Sequence, residues 1–455
     1  VDLSLSEAIR LGLENNPRLL EAFSTIQQFE WQLIAAQRQW YPTLQLSNGV
    51  PFAGYQWGTF VRNAYALPGA RLGDQQRQVA TKSQALALQS GASVNWTMLD
   101  LSRQPNINAA SEALRQQKYL FDISARNIIL EIQQEYFAIQ SSQLLIDNFQ
   151  QIYAINRQQL SMLEAQQSVG MVTVLDVEQT RSQLFSQLSQ LVDFTNRYIQ
   201  QSARLAESLA LPADSLAIPS ERARLQGEWT LSLQDTIDQA RRQREEILAS
   251  LAAAEAADWS GIAALRSTLP VVSLVGTGGL NLLNGYESVA VPEDPGERYA
   301  LSRQWSAAAG IGFTWSIFDG GIQAANAQAL RAQAREQRAR AMTSELQVTQ
   351  QVRSSYAKLR TARVAVESAE QAYRSAELAQ EAARARFQVG VGDITSVVQT
   401  IQQLSQSVQQ RANAMLNYNS AVVELYRFSS TWPGDSGGVP PSGVNPEEQH
   451  RRSRC

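Results

Sequence analysis

Ala309-Gly310-Ile311-Gly312-Phe313-Thr314-Trp315-Ser316-Ile317 places apolar side chains at every second position, with small or polar residues between them. A period of two is the pattern of a β-strand with one apolar face. Ala92-Ser93-Val94-Asn95-Trp96-Thr97-Met98 repeats it, just ahead of Leu99-Asp100. Weaker versions occupy 43–50, with Leu44 and Leu46 on the apolar side, and 271–280, with Val272 and Leu274. Trp40, Tyr41, Tyr55, Trp57, Phe60 and Trp305 fall near the expected strand ends, where a membrane barrel carries its interfacial aromatics. Four strands do not close around water, and an open sheet leaves edge groups that lipid cannot satisfy. Three chains sharing one barrel supply twelve strands, enough for an aqueous lumen. A soluble sheet with one buried face is the competing reading, but no helix lies between the strands to cover it.

The strand pattern sits inside a larger duplication. Leu3-Ser4-Leu5-Ser6-Glu7-Ala8-Ile9 returns as Leu231-Ser232-Leu233-Gln234-Asp235-Thr236-Ile237, a shift of 228. The same shift carries Tyr41-Pro42-Thr43 onto Leu269-Pro270-Val271. Asn95-Trp96-Thr97-Met98-Leu99-Asp100 matches Thr314-Trp315-Ser316-Ile317-Phe318-Asp319 at 219, and Ser168-Val169-Gly170 matches Gln388-Val389-Gly390 at 220. The change of shift falls where turn residues cluster and a loop can alter its length cheaply. Each copy reads as helix, strand, loop, strand, long helix, tight turn, helix.

Heptads mark the helices. Ile132, Ile139, Ile146, Tyr153 and Leu160 correspond to Val352, Leu359, Val366, Tyr373 and Gln380. On the returning helices, Val177, Leu184, Leu191, Tyr198 and Leu205 correspond to Val397, Leu404, Arg411, Tyr418 and Leu425. A sustained period of seven predicts a left-handed coiled seam. Ala362, Ala369, Ala376 and Ala383 run beside it as small knobs. A soluble bundle would carry the same heptads, so lengths matter. Asp100 to Gly170 and Asp319 to Gly390 would each be one helix of about 105 Å at 1.5 Å per residue. The opening helices (4–36 and 231–264) and the return helices (171–209 and 391–428) together match that length. A wall with one long helix beside two stacked shorter ones explains the match.

Composition removes most other classes. Against 39 Lys and Arg stand 42 Asp and Glu, a net charge of −3, with no basic footprint for nucleic acid. The one Cys, Cys455, and the one His, His450, both lie in the last six residues. A disulfide framework, a Cys/His zinc site and a Ser–His or Cys–His pair therefore have little to draw on. No carboxylate pair stands out, so no enzyme activity and no cofactor are expected. No apolar run reaches 18 residues, which excludes a spanning helix and leaves a spanning barrel open. The chain opens on Val1, as a processed or shortened form would.

These patterns resemble the TolC-type outer-membrane efflux protein family. The likeness is carried by Leu3–Ile9 with Asn15-Asn16-Pro17, by Trp315-Ser316-Ile317-Phe318-Asp319-Gly320-Gly321, and by the turns Val169-Gly170-Met171-Val172 and Val389-Gly390-Val391-Gly392; it spans about residues 3–430. It implies a homotrimer with a twelve-stranded barrel in the outer membrane of a Gram-negative-type bacterium and a long α-helical tunnel in the periplasm. It further implies a periplasmic adaptor (membrane fusion protein) and an inner-membrane transporter of the RND, ABC or MFS type, in multidrug efflux or type I secretion. Val169, Gly170, Met171, Val389, Gly390 and Val391 match the tip motif that receives the adaptor. Helix C-capping is the plainer use of those glycines, and both uses are compatible.

Gate candidates are Asp176, Asp393, Ser396 and Gln399. In the best-known members the positions of Ser396 and Gln399 carry an acidic ring, and the positions of Gly392 and Phe387 carry an Arg and a Tyr that lock the entrance. Asp176 matches a lock carboxylate, and Asp393 lies nearby. Solvated turn carboxylates without a gating role are the alternative. The expected divisions are a first repeat at 1–209, a linker at 210–229 belonging to a belt around the tunnel, a second repeat at 230–432, and a disordered tail at 433–455. The rival for the whole chain is a soluble coiled-coil scaffold.

Overall fold

The computed structural model describes residues 1–47, 53–64, 77–290 and 296–430. In chain order the elements are β1 (Asp2–Leu3), α1 (Leu5–Asn15), α2 (Pro17–Arg38), β2 (Thr43–Ser47), β3 (Ala53–Ala64), β4 (Arg77–Leu99), α3 (Arg103–Ser168), α4 (Val174–Ser208), β5 (Ile218–Pro219), α5 (Leu233–Gln243), α6 (Glu245–Arg266), β6 (Val271–Ala290), β7 (Gly296–Thr314), α7 (Ile322–Gln388) and α8 (Ile394–Ser429). They fall into two compact units. Val1–Glu30, Glu112–Glu255 and the chain from Ala334 make one; Trp31–Ser111 and Ala256–Gln333 make the other. The tail at 433–455, with His450 and Cys455, lies outside the described residues, as do the side chains of Tyr55, Trp57 and Phe60.

The second unit holds the sheet, in the order β2-β4-β6-β7 with β3 also on β4, and every pairing in it is antiparallel. Register turns the alternation into a surface. Leu44 pairs with Val94, Val94 with Gly276 and Gly276 with Ala309; one step along, Trp96 pairs with Leu274 and Leu274 with Ile311. The opposite face carries Gln45, Ser93 and Thr277, then Ser47, Gly91, Gly279 and Ser306. Leu44, Leu46, Ile311 and Phe313 are exposed at 63–80% within one chain. The sheet is open: among the described residues the outer edges of β2 and β7 have no partner strand.

Strand extents differ from expectation. β4 spans 23 residues, β6 20 and β7 19, well beyond the stretches whose apolar alternation announced them. Over Arg77–Gln89 every second position, counted back from Leu88 through Leu86, reaches Gln84 and Lys82, so the apolar face is broken in the sequence. At its other end β7 stops at Thr314, and Trp315 and Ile317 are not in it. The register would set Trp315 opposite Pro270, which has no N–H to give the ladder. In the first copy Trp96 and Leu99 remain in strand across an irregularity between Thr97 and Leu99. There the chain is pinned: Arg103 is buried, donates Nη2 to the Thr97 carbonyl at 2.8 Å and stacks 4.3 Å over Trp40, whose carbonyl accepts from Trp96 Nε1 at 2.9 Å.

In the first unit, the opening helices are not single rods. Pro17 has no N–H and holds Asn16 extended, which separates α1 from α2. α5 and α6 break at Arg244, with no proline; there ψ is 120°. The proposed length match therefore loses its first eleven residues, leaving 22 in α2 and 35 in α4 against 66 in α3. Both breaks face the end of a return helix. Asn16 Nδ2 donates to the Ser208 carbonyl at 2.9 Å, and Arg244 Nη1 donates to the Phe428 carbonyl at 2.9 Å. These carbonyls would otherwise be orphaned at helix C-termini. The 210–229 segment is not all loop, since β5 pairs in parallel with β1.

The heptads form the seams. Ile132, Ile139, Leu184, Leu205, Val352, Val397, Leu404 and Leu425 are buried, as are Ala362, Ala369 and Ala376. Phe149 of α3 meets Phe194 of α4 edge-on at 4.9 Å. Arg411, the charged member of a seam, lies 4.6 Å over Tyr373 and pairs with Glu370 at 2.6 Å.

Candidate functional site

The two helix-turn-helix ends are built alike. After α3, Gly170 N donates to the Gln167 carbonyl at 2.9 Å and Met171 N to Gln166 at 2.9 Å. After α7, Gly390 N donates to Phe387 at 3.0 Å and Val391 N to Arg386 at 3.0 Å. Paired bonds of this kind are the Schellman ending, which needs a left-handed residue. Gly170 and Gly390 supply it at φ +79° and +76°. The next helix then starts on a polar cap. Thr173 and Asp176 form a reciprocal capping box at α4, with Thr173 N donating to Asp176 Oδ2 at 2.8 Å. Asp393 caps α8 by accepting from Thr395 N at 3.2 Å.

This geometry leaves the tips apolar and bare. Val169, Met171, Val389 and Val391 are each 69–74% exposed, and a Cβ on Gly170 or Gly390 would meet nothing within 4 Å. Sequence reading missed Val174 and Leu175, which are as exposed as their neighbours at the first turn. Their signal was present as two large apolar residues directly after a capping Thr. At the second turn Ile394 is buried, so the two tips are not the same surface. Below the tips, Leu163, Val177, Ile394, Val397 and Ala376 share one hydrophobic cluster, with Val172 and Phe387 packed against it. Both turns therefore stand on one core.

Of the gate residues, Ser396 and Gln399 are exposed on α8, three positions apart. Asp176 and Asp393 bond inside their own turns. A Cβ at Gly392 would lie 2.8 Å from the Phe387 nitrogen and 3.0 Å from the Arg386 carbonyl carbon, so the position has no room for an arginine.

An open antiparallel sheet with one apolar face is joined in sequence to helices of 66 and 67 residues that end in bare apolar turns. The chain belongs to the outer membrane efflux protein family, whose model matches residues 8–211 and 236–430. No curated protein sequence matches it. Solved structures share the fold at low identity. The CmeC outer membrane channel of Campylobacter jejuni is 18% identical with a TM-score of 0.72, over 98% of this chain and 89% of that one. The outer membrane protein VceC of Vibrio cholerae is 16% identical with a TM-score of 0.69, over 94% and 96%. The open state of the Neisseria gonorrhoeae MtrE outer membrane channel is 16% identical with a TM-score of 0.68, over 94% and 89%.

Proposed function

We propose that three copies of this chain form the exit duct of a tripartite export system, crossing the outer membrane as a twelve-stranded barrel continued by a periplasmic helical tunnel. The observation that carries this is the open sheet. Its apolar face suits lipid, and its unpaired outer edges need strands from other chains, because hydrocarbon offers them no hydrogen bonds. Two tandem repeats, divided by the 210–229 linker, supply one helical hairpin each and the strands of the sheet: β4 with β2 and β3 paired along it from the first, β6 and β7 from the second. The cargo is small toxic compounds, secreted proteins or both, delivered through an adaptor by an inner-membrane transporter.

The tips are the adaptor's landing. Exposed Val169, Met171, Val389 and Val391 around a bare glycine backbone offer an apolar patch that a polar-faced hairpin end would not. Three chains with two tips give six sites around the axis. Closure relies on helix packing together with Asp176 and Asp393, whose capping bonds fix where their charge stands. Neither Ser396 nor Gln399 contributes a charge to a ring. Reconstitution in planar bilayers tests the reading: discrete ion-conducting steps are expected, and a pure, trimeric preparation that never conducts overturns it. Asp176→Asn and Asp393→Asn channels should differ in cation preference, by the ordinary attraction of carboxylates for cations near a pore axis.

A further inference from the structure

The polar face of the sheet carries a pit that crosses four strands. Gly91 of β4 and Gly279 of β6 pair across the ladder and make its floor. A Cβ on Gly91 would stand 3.3 Å from Ser47 Oγ, and one on Gly279 would stand 3.1 Å from Ser306 Oγ, so a side chain at either position would fill the space. Ser47 and Ser306 close that row at its two ends. Gln89, Asn281 and Gln304 form the next wall along the same face. The cavity measures about 350 Å³, toward the small end of ligand sites. Two features set it apart from an ordinary gap between side chains. Asn281 Oδ1 is buried and accepts no hydrogen bond from the described residues, a cost that folded chains seldom leave unmet. The surrounding wall is also free of charge: on this face, from the Thr43–Asn95–Val275–Gly310 row to the Gln89–Asn281–Gln304 row, none of the described residues is ionisable.

We infer that this pit binds a neutral saccharide of about hexose size. Its side chains are hydroxyls and carboxamides, groups that both donate and accept hydrogen bonds. The adjacent hydroxyls of a sugar do the same, and one of them donating to Asn281 Oδ1 meets the orphaned acceptor. The glycine floor lets the ring lie close to the backbone. An ion is disfavoured, because it would shed water here with no opposite charge to replace it. An apolar ligand is disfavoured as well, since Leu280 and Trp305 turn to the other face of the sheet. The position of the pit on a lumen wall rests on the exit-duct reading, and there it gives each chain one holding point for hydroxyl-rich neutral cargo.

Saturation-transfer NMR of glucose with the full-length protein, extracted in a detergent without a sugar headgroup, tests it. Glucose should bind saturably, and glucuronate, the same ring with a carboxylate, at least about tenfold more weakly. Gly279→Leu fills the floor and should abolish the signal. Asn281→Leu, close in volume, should weaken glucose by about fivefold or more through the lost hydrogen bond, and it keeps the test decisive if Gly279→Leu does not assemble. No saturable glucose binding, equal binding of glucuronate, or an Asn281→Leu protein that binds glucose like the parent overturns the site. Bilayer recordings separate this from the reading beneath it. A protein that conducts but does not bind glucose loses the pit and keeps the duct, and one that binds glucose but never conducts does the reverse.

Discussion

The two helix breaks do one job with different chemistry. At the first, Asn16 and Pro17 use a neutral amide and a missing N–H to turn the chain and hold the Ser208 carbonyl. At the second, Arg244 is 4% exposed and donates to Glu246 at 2.7 Å, Gln351 at 3.1 Å and the Phe428 carbonyl. Arg427 pairs with Glu246 at 2.7 Å, and Arg126 with Glu245 at 2.6 Å. Proline writes the first break into the local sequence. The second exists because residues 183 apart bring charges to one buried point. A repeated architecture can therefore preserve a contact while exchanging the means of making it.

Their titration also differs. Glu135 packs near the first break, and burial pushes its carboxyl up to about 7, with Glu131 and Glu207 adding to the rise against Ser208 and Arg204. Burial alone would raise Glu246 at the second break as well, but Arg427 and Arg244 outweigh it and hold the group below the ordinary range. Glu135 thus costs stability once it ionises. From about pH 4.5 to 7 the unfolded chain has released a proton that the folded one keeps, so this contribution falls as pH rises. Glu246 has the opposite sign: its contribution is complete above its unfolded value and fades as pH drops through the lower folded value.

The comparison breaks most visibly at Arg244. Arg244→Ala leaves Glu246 with Arg427 alone and takes the donor from the Phe428 carbonyl, and should cost about 2–3 kcal/mol in denaturant unfolding of the detergent-extracted protein. A loss no larger than that of Asn16→Ala would erase the distinction. Next, Glu135→Gln should raise stability at pH 8 by roughly 1–3 kcal/mol and flatten the decline between pH 5 and 7. An unchanged slope would assign that pH dependence to other groups. Smallest is Asn16→Ala, about 1 kcal/mol, since one neutral hydrogen bond and a cap are lost while Pro17 still fixes the turn. Melting curves of the two variants at neutral pH measure it.

Much of this was legible in the chain. Heptad columns and alternating strands survive as buried seams and one apolar face, because both follow directly from side-chain period. The Gly170 and Gly390 turns were legible because a left-handed ending selects glycine. Asn15-Asn16-Pro17 lies inside the span 4–36 expected as one helix, although Pro17 states the break. Arg244 gave no local sign, since its partners other than Glu246 come from α7 and α8. The end of β7 depended on Pro270, just ahead of β6, and the long starts of β4 and β7 interrupt their alternation with Lys82, Gln84 and Arg303. Val174 and Leu175 looked like ordinary first-turn helix residues until their exposure set the first tip apart from the second.

The central claim is that the apolar sheet face works only in a barrel shared between chains. The direct measurement is the mass of the detergent-extracted particle, with bound detergent subtracted. The account predicts three times the 50.3 kDa chain, insoluble without surfactant. A stable 50.3 kDa monomer in plain buffer would contradict it.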